Sequence, residues 1–327
     1  MAVYTALDVS DCTALLAQYD CGEYLRHVGI GAGIENTNYF LDTEGAHHGR
    51  FVLTVFERLT AAQLPYYLEF SAHLAASGLP VPAPQRIARG PQAGQLFTTL
   101  KDKPAALVAR VAGEDVIWPT LDHCAQIGAM SARMHLAGKT FKLAQPNLRG
   151  LNWMLAQVDP LAAHVPAPLH ALLRDELAAQ SSFDTQLARD PLPGSAVHAD
   201  LFRDNALFEA GRLSGVIDFY FAGDDAWAYD LCVTLNDWCI DHASGAVDLP
   251  LARAFMRAYE AVRPLQTAER AALAMMARKA ALRFWISRLA DWYMPRAAAV
   301  LTPKDPSHFE RILQARRADP LTYPSIS

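Results

Sequence analysis

The sequence lacks long apolar runs and clusters of basic residues. Charged residues or prolines interrupt every apolar stretch before it reaches membrane-spanning length, and Met1 is not followed by the basic patch and apolar run of a secretory signal. Lys and Arg number 29 against 34 Asp and Glu, and the basic residues form no runs. These absences argue against a membrane or a nucleic acid as a partner. We therefore expect a cytoplasmic protein that binds a small molecule.

Cysteine is scarce, and its spacing excludes the common zinc motifs. The chain has five cysteines, with no Cys-x-x-Cys pair and no histidine at zinc-finger spacing. They are Cys12, Cys21, Cys124, Cys232 and Cys239. An odd, widely scattered set of this kind predicts reduced thiols.

Two common phosphate-binding loops are also missing. No Gly-x-x-x-x-Gly-Lys-Ser/Thr sequence occurs, which excludes a P-loop. The glycines at positions 29, 31 and 33 do not fit the spacing of dinucleotide-binding loops. No internal repeat is found, and no feature of the sequence fixes an oligomeric state.

Apolar residues, by contrast, are abundant enough for a substantial core. The chain has 327 residues, of which 52% are apolar, and this size favours two lobes or domains. Five β-rich segments precede residue 112, and long helical periodicities follow it. We predict an α+β fold with a strand-rich N-terminal lobe over residues 1–111 and a larger, mostly helical lobe over residues 112–327.

Periodicity and turn signals place individual elements. Strands are expected over residues 24–30, 38–41, 51–56, 95–100 and 105–111. Helices are expected over residues 8–22, 65–78, 169–180 and 267–294, and in the segments around Met130 and Thr234. Residues 150–153 are expected in a loop. The last long helix should place its aromatic residues in the core, namely Phe284, Trp285, Trp292 and Tyr293.

The strongest chemical signal lies in residues 197–219. His198 is followed by Asp200, then by Asn205, and Asp218 comes at the end of the next predicted strand. This order suits phosphoryl transfer, because Asp200 can accept the proton of an attacking hydroxyl while Asn205 and Asp218 hold Mg²⁺. Asp and Asn also favour turns, but turn preference does not account for this order and spacing. We therefore predict a catalytic base with two metal ligands.

Two neighbouring residues are expected to support this loop. His198 is interpreted as a packed side chain that fixes the shape of the loop, because Asp200 already supplies the one weak base that the reaction needs. Asp230 is expected either to hold the loop backbone or to cap a helix. No role is assigned to His47, His48, His123 or His135.

A glycine-rich hairpin near the N-terminus is a candidate phosphate loop. Gly33 lacks a Cβ atom, so backbone N–H groups of this loop could approach a phosphate closely. Asn36 and Thr37 lie in the same loop and are assigned with Gly33 to nucleotide binding. A plain turn is an equally acceptable interpretation when this segment is considered alone.

The motif in residues 198–205, together with residues 215–219 and 229–231, resembles the aminoglycoside phosphotransferase and choline kinase family of protein-kinase-like small-molecule kinases. The resemblance implies a protein-kinase-like fold, ATP and Mg²⁺. It also implies that the lobe over residues 1–111, built on an antiparallel sheet, binds the nucleotide, and that the lobe over residues 112–327 carries catalysis and binds the substrate. Six further segments look like the bacterial homoserine kinases of this fold. They are residues 35–40, 51–57, 149–153, 217–221, 235–239 and 304–306. This narrower resemblance implies ATP-dependent phosphorylation of L-homoserine to O-phosphohomoserine, on the route to threonine.

One position departs from the superfamily pattern. Most of its members place a lysine on the third strand, paired with a helix glutamate, and here the matching residue is Thr54. Glu69, on the following helix, is thus left without an obvious partner. Arg58 or Lys101 is expected to reach the α- and β-phosphates instead.

The acceptor site is the least specified region. Homoserine is a zwitterion, so its ammonium requires a carboxylate and its carboxylate requires an arginine or backbone N–H groups. Asp225 or Asp237 could bind the ammonium and Arg283 or Arg288 the carboxylate, but each also suits a structural role. Two alternatives stay open, namely a kinase of the same fold acting on an aminoglycoside, choline or another amino alcohol, and a nucleotide-binding protein without catalysis.

Overall fold

The computed structural model describes residues 4–31, 36–294 and 303–326. It divides into two compact units, Met1–Ala112 and Gly113–Ser327. Within the described ranges, every helix is too short or too polar to cross a lipid bilayer.

The described part of the first unit is an antiparallel sheet of five strands with two helices. Its elements are α1 (Val9–Leu16), β1 (Glu23–Gly29), β2 (Thr37–Glu44), β3 (Arg50–Val55), α2 (Leu64–Ala76), β4 (Thr98–Leu100) and β5 (Lys103–Ala109). The strands are ordered β1-β2-β3-β5-β4. The expectation of a helix over residues 8–22 was wrong in length, because α1 ends at Leu16. Gly22 instead forms a turn at a φ of 85°, where an added Cβ would lie 2.5 Å from the carbonyl oxygen of Glu44.

Alternation along the strands gives this sheet two different faces. Leu41, Leu53 and Leu107 belong to a buried apolar cluster that also contains Cys12 and Leu15 of α1. Because successive strand residues point to opposite faces, Thr54 lies on the face away from α1.

The second unit is mostly helical. Its helices are α3 (Leu121–Gly138), α4 (Leu151–Ala162), α5 (Ala167–Leu187), α6 (Trp227–Trp238), α7 (Leu249–Val262), α8 (Thr267–Tyr293), α9 (Ser307–Ala318) and α10 (Tyr323–Ile326). Its strands are β6 (Gly194–Val197), β7 (Ala206–Glu209), β8 (Arg212–Val216) and β9 (Gly223–Ala226), and a 3-10 turn spans Arg203–Asn205. The strands form two antiparallel pairs, β6 with β9 and β7 with β8.

Helix α6 is the centre of the second unit. All of its residues are buried, and it packs against α8 and also contacts α3 and α7. A helix surrounded in this way must satisfy its polar side chains internally, because water does not reach them. Asp230 and Asp237 therefore need partners inside the protein.

Two predictions about this unit were wrong. Residues 150–153 are not a loop, because Gly150 caps α4 and the next three residues form its first turn. Trp292 is not in the core, since its side chain is 46% exposed on the last turn of α8, whereas Phe284 and Trp285 are buried. Helical periodicity predicted α8 correctly but did not show where its buried stripe ends.

Candidate active site

The predicted base and the first predicted metal ligand lie together in one loop. This loop follows β6 and ends in the 3-10 turn that contains Asn205. The side-chain amide of Asn205 donates to the backbone carbonyl of Asp200 at 2.8 Å and to its carboxylate at 3.3 Å. With the N–H groups used in this way, the carbonyl oxygen Oδ1 of Asn205 is left to act as a ligand.

Asp218 joins this pair from the end of β8. The Ile217 amide donates to the Asn205 carbonyl at 2.9 Å, which ties the segment after β8 to the loop. Asp218 follows at a φ of 63°, a left-handed conformation that Asp tolerates better than most residues. Its charge is close enough to raise the pKa of Asp200. The structure thus brings Asp200, Asn205 and Asp218 together.

The environment of Asp200 makes its carboxylate a stronger base. Burial raises the pKa of Asp200 to about 8, and the nearby charge of Arg283 opposes this shift. The guanidinium of Arg283 lies 3.8 Å from the Asp200 carboxylate. A raised pKa increases the proton affinity that a general base requires.

His198 packs within the loop. Its Nδ1 accepts from the Asp200 amide at 3.2 Å, so its Nε2–H donates to the carbonyl of Ile217 at 2.9 Å. The ring lies against Phe219 with centroids 4.7 Å apart, and burial lowers the pKa of His198. A neutral imidazole in this position connects the Asp200 and Asp218 segments.

Asp230 of α6 supports the backbone of the loop. One carboxylate oxygen accepts from the Ala199 amide at 2.6 Å, where Ala199 has a φ of 61°, and the other accepts from His135 Nε2 at 2.9 Å. Of the two roles expected for Asp230, the structure therefore shows backbone support. His135 was given no role from the sequence, because its position in a helical run does not indicate what it faces.

A buried chain of hydrogen bonds continues from His135. Tyr259 donates to His135 Nδ1 at 2.9 Å and accepts from Arg263 at 3.0 Å. Arg263 in turn forms an ion pair with Glu269 at 2.5 Å. Every member is nearly excluded from water, so the backbone of the Asp200 loop rests on partners from α3, α6, α7 and α8.

Asp237 supports the other end of the loop. One of its oxygens accepts from the backbone amide of Arg203 at 2.8 Å and from its Nε at 3.1 Å. Asp225, the other candidate for the acceptor ammonium, accepts from Asn147 at 2.8 Å and from the Ala226 amide at 2.7 Å. Both carboxylates thus have structural partners.

Of the three nucleotide residues predicted in the loop before β2, the structure describes two. Gly33 lies outside the described residues. Asn36 precedes β2 and has a buried carbonyl oxygen without a hydrogen-bond partner. Thr37, on the α1 face, donates to Glu57 at 2.6 Å and accepts from two backbone amides of the N-terminal segment.

The two cations proposed to replace the strand lysine also differ in position. Lys101 lies in the β4–β5 turn and pairs with Asp11 of α1 at 2.8 Å. Arg58 lies beyond the end of β3 and is exposed. Thr54 donates to Asn38 at 2.7 Å, and Glu69 has a partner that the sequence did not suggest, since it forms a two-point ion pair with Arg86.

The model of the phosphotransferase enzyme family matches residues 27–265 of the chain. The chain belongs to this family. The match covers the whole of the Asp200 loop and the segment around Asp218.

Several relatives named homoserine kinase resemble this phosphotransferase over nearly their whole length. One, from Cupriavidus pinatubonensis (strain JMP 134), is 49% identical over 323 residues, which are 97% of each chain. Others are from Burkholderia thailandensis, 47% identical over 97% of this chain and 96% of the relative, and from Cupriavidus metallidurans, 48% identical over the full length of both. The similarity to bacterial homoserine kinases that the sequence indicated is confirmed.

Solved structures confirm the protein-kinase-like α+β fold. An amicoumacin kinase in complex with AMP-PNP and Ca²⁺ has a TM-score of 0.71 at 15% identity, covering 97% of this chain and 96% of that one. A choline kinase from Cryptosporidium parvum has a TM-score of 0.65 at 13% identity, covering 95% and 96%. At these identities the likeness concerns the fold alone.

Proposed function

We propose that this phosphotransferase uses ATP to phosphorylate the side-chain hydroxyl of L-homoserine. The product is O-phosphohomoserine, on the route to threonine. The observation that carries the proposal is the full-length similarity, at 47–49% identity, to relatives named homoserine kinase. The grouping of Asp200, Asn205 and Asp218 supports it, because these side chains suit transfer of a phosphoryl group to a hydroxyl.

Asp200 is the base in this proposal. The hydroxyl oxygen of homoserine bonds to the γ-phosphorus, the bond from that phosphorus to the β–γ bridging oxygen breaks, and ADP leaves with the electron pair. The hydroxyl proton passes to Asp200. The partners of Ala199 and Arg203 keep the loop in one conformation, so that Asp200 needs no rearrangement before it accepts the proton.

Asn205 and Asp218 are the proposed ligands of Mg²⁺. Among the described residues no group of three or more His, Cys, Asp or Glu side chains could hold a metal, so the candidate is a mixed site of amide and carboxylate oxygens. Such hard oxygen ligands suit Mg²⁺ and match an amide whose N–H groups are already used. When bound, the cation neutralises phosphate charge.

The proposed nucleotide contacts in the first unit are Gly33, Asn36 and Arg58. Asn36 has an unused carbonyl oxygen, and Arg58 is an exposed cation close after β3. Thr37 and Lys101 are bound to Glu57 and Asp11, so we now assign them to support of the sheet.

A panel of acceptors tests the proposal. ADP release by the purified protein is measured with homoserine, choline and kanamycin, each with ATP and Mg²⁺. Turnover that depends on homoserine supports the proposal. Turnover only with choline or kanamycin favours an amino-alcohol or aminoglycoside kinase, an alternative kept open because the fold is shared with a choline kinase. Nucleotide binding without turnover favours the second alternative, a nucleotide-binding protein without catalysis.

A further inference from the structure

A cavity of about 310 Å³ lies beside the Asp200 loop. Phe202, Arg203 and Asp204 form part of its wall, directly before Asn205. Other walls carry Asp115, Arg288 and Lys304. Phe202 of this wall lies two positions after Asp200, so the cavity is next to the proposed base.

Most charges around this cavity are already paired. Arg203 pairs with Asp237, and Lys304 pairs with Asp204 at 3.1 Å. Arg288 differs, because it forms no ion pair with a carboxylate of the described residues. Its guanidinium donates to the carbonyl of Asp305 at 3.1 Å and lies 4.5 Å from the centre of the Phe309 ring.

An arginine in this situation is suited to bind an anion. Stacking on Phe309 holds the planar guanidinium in place and leaves N–H groups for a two-point contact with a carboxylate. Burial lowers the pKa of Arg288, so a carboxylate partner would recover part of the lost hydration.

The cavity also presents negative charge for an ammonium group. Asp115 is exposed on its wall and forms no hydrogen bond or ion pair with the described residues. Asp204 is 54% exposed and is held by a single surface lysine. The wall thus offers one unpaired cation and one unpaired anion, which match the two charges of an α-amino acid.

We propose that this cavity binds the α-amino acid end of the acceptor, with Arg288 on its carboxylate and Asp115 on its ammonium. The inference rests on the proposed function, since it places a substrate whose hydroxyl reaches Asp200. Homoserine has two methylene groups between its Cα and its hydroxyl, so a site for its charged end must adjoin the base. Asp225 and Asp237, by contrast, bind protein partners, and Arg283 lies 3.8 Å from the Asp200 carboxylate.

Acceptors that lack one charge test each contact separately. The variants are Arg288→Met and Asp115→Asn, and Arg270→Met is the control, since Arg270 lies on the same helix but pairs with Glu260. The acceptors are homoserine, 3-aminopropan-1-ol, which lacks the carboxylate, and 4-hydroxybutanoate, which lacks the ammonium. KM and kcat/KM are measured for each acceptor and for ATP, with a melting curve for every variant.

The expected result is selective. Arg288→Met should raise the KM for homoserine by about 30-fold or more and leave that for ATP unchanged, because losing a charged hydrogen-bond partner weakens binding by roughly one to two orders of magnitude. Its kcat/KM for 3-aminopropan-1-ol should stay within about twofold of the wild type. Asp115→Asn should raise the KM for homoserine by about 10-fold and leave the KM for 4-hydroxybutanoate unchanged.

Other results overturn the inference. A homoserine KM that is unchanged in both variants contradicts it, and so does an equal loss with charged and truncated acceptors. If Arg288→Met does not fold, Asp115→Asn decides, because that residue is exposed. If the wild-type protein does not phosphorylate homoserine, the proposed function is wrong, and calorimetry with homoserine then tests the cavity alone. Binding to the wild type that is lost in Arg288→Met supports the inference about the cavity. No binding to the wild type overturns that inference.

Discussion

The Asp200 loop and the five-stranded sheet of the first unit differ in what their polar residues do. Asp200 and Asn205 of the loop lie near Asp218, and buried partners from four helices support the loop. In the sheet, the residues assigned to the nucleotide differ from one another, since Thr37 and Lys101 are bound to Glu57 and Asp11 whereas the side-chain carbonyl oxygen of Asn36 has no hydrogen-bond partner.

This difference has a physical origin. The loop is short, so the spacing between Asp200 and Asn205 alone determines which atoms meet. In a strand, side chains alternate between faces, and a shift of one position changes the face. A polar residue there can serve the fold or a ligand, and the sequence does not distinguish the two.

Asp200→Asn should have the largest effect, because it removes the proposed base and keeps the size of the side chain. We expect kcat to fall by about 10³-fold, within the range known for general bases, with little change in the melting temperature. Asp122→Asn, on the exposed start of α3, is the matched control. A kcat within tenfold of the wild type would assign proton transfer to another group.

Asp218→Asn and Asn205→Ala should alter metal dependence. Each removes one proposed oxygen ligand, so the Mg²⁺ concentration for half-maximal rate should rise by about 10- to 100-fold, with a partial recovery at high Mg²⁺. Removing the cation with EDTA should abolish turnover in the wild type. An unchanged Mg²⁺ titration in both variants would exclude these residues as ligands.

Tyr259→Phe tests the buried chain beneath the loop. The change leaves His135 Nδ1 without a donor and removes one acceptor of Arg263. We expect the free energy of unfolding to fall by about 1–3 kcal/mol, which denaturant titration measures. Tyr24→Phe, in the sheet, provides the control. Stability equal to the wild type would mean that this chain of hydrogen bonds does not support the Asp200 loop.

Arg58→Ala and Lys101→Ala should show the smallest effects and refine the description of the sheet. Arg58→Ala should raise the KM for ATP several-fold, by about 3- to 10-fold for an exposed cation near phosphate. Lys101→Ala should leave that KM unchanged, because Lys101 pairs with Asp11. A KM for ATP raised only by Lys101→Ala would reverse these assignments. An unchanged KM in both variants would exclude both cations from nucleotide binding.

Much of this protein could be predicted from its sequence, and the failures have structural causes. The five strands and the helices α2, α3, α5, α6 and α8 follow from periodicity and turn residues. Helix α4 was missed because Gly150 and Asn152 resemble a loop, although Gly150 caps the helix. The role of Asp230 was foreseen as one of two options, and the structure places this residue in the first turn of α6.

Contacts across the fold were not predictable. The contact between His135 and Asp230 joins residues 95 positions apart, and no local pattern marks it. The same holds for Glu69 and Arg86, and for the cavity beside Arg288, which depends on how α8 packs on α9. Sequence spacing thus predicted residues that lie together in the structure, and tertiary packing determined which side chains support them.

The central proposal is that Asp200 acts as the base while a phosphoryl group passes from ATP to homoserine. Phosphorus NMR of a reaction containing wild-type protein, ATP, Mg²⁺ and homoserine tests it most directly, with Asp200→Asn alongside. We predict O-phosphohomoserine and ADP in equal amounts from the wild type and neither from the variant over the same time. Free phosphate in place of O-phosphohomoserine, or equal product from the variant, would contradict the claim.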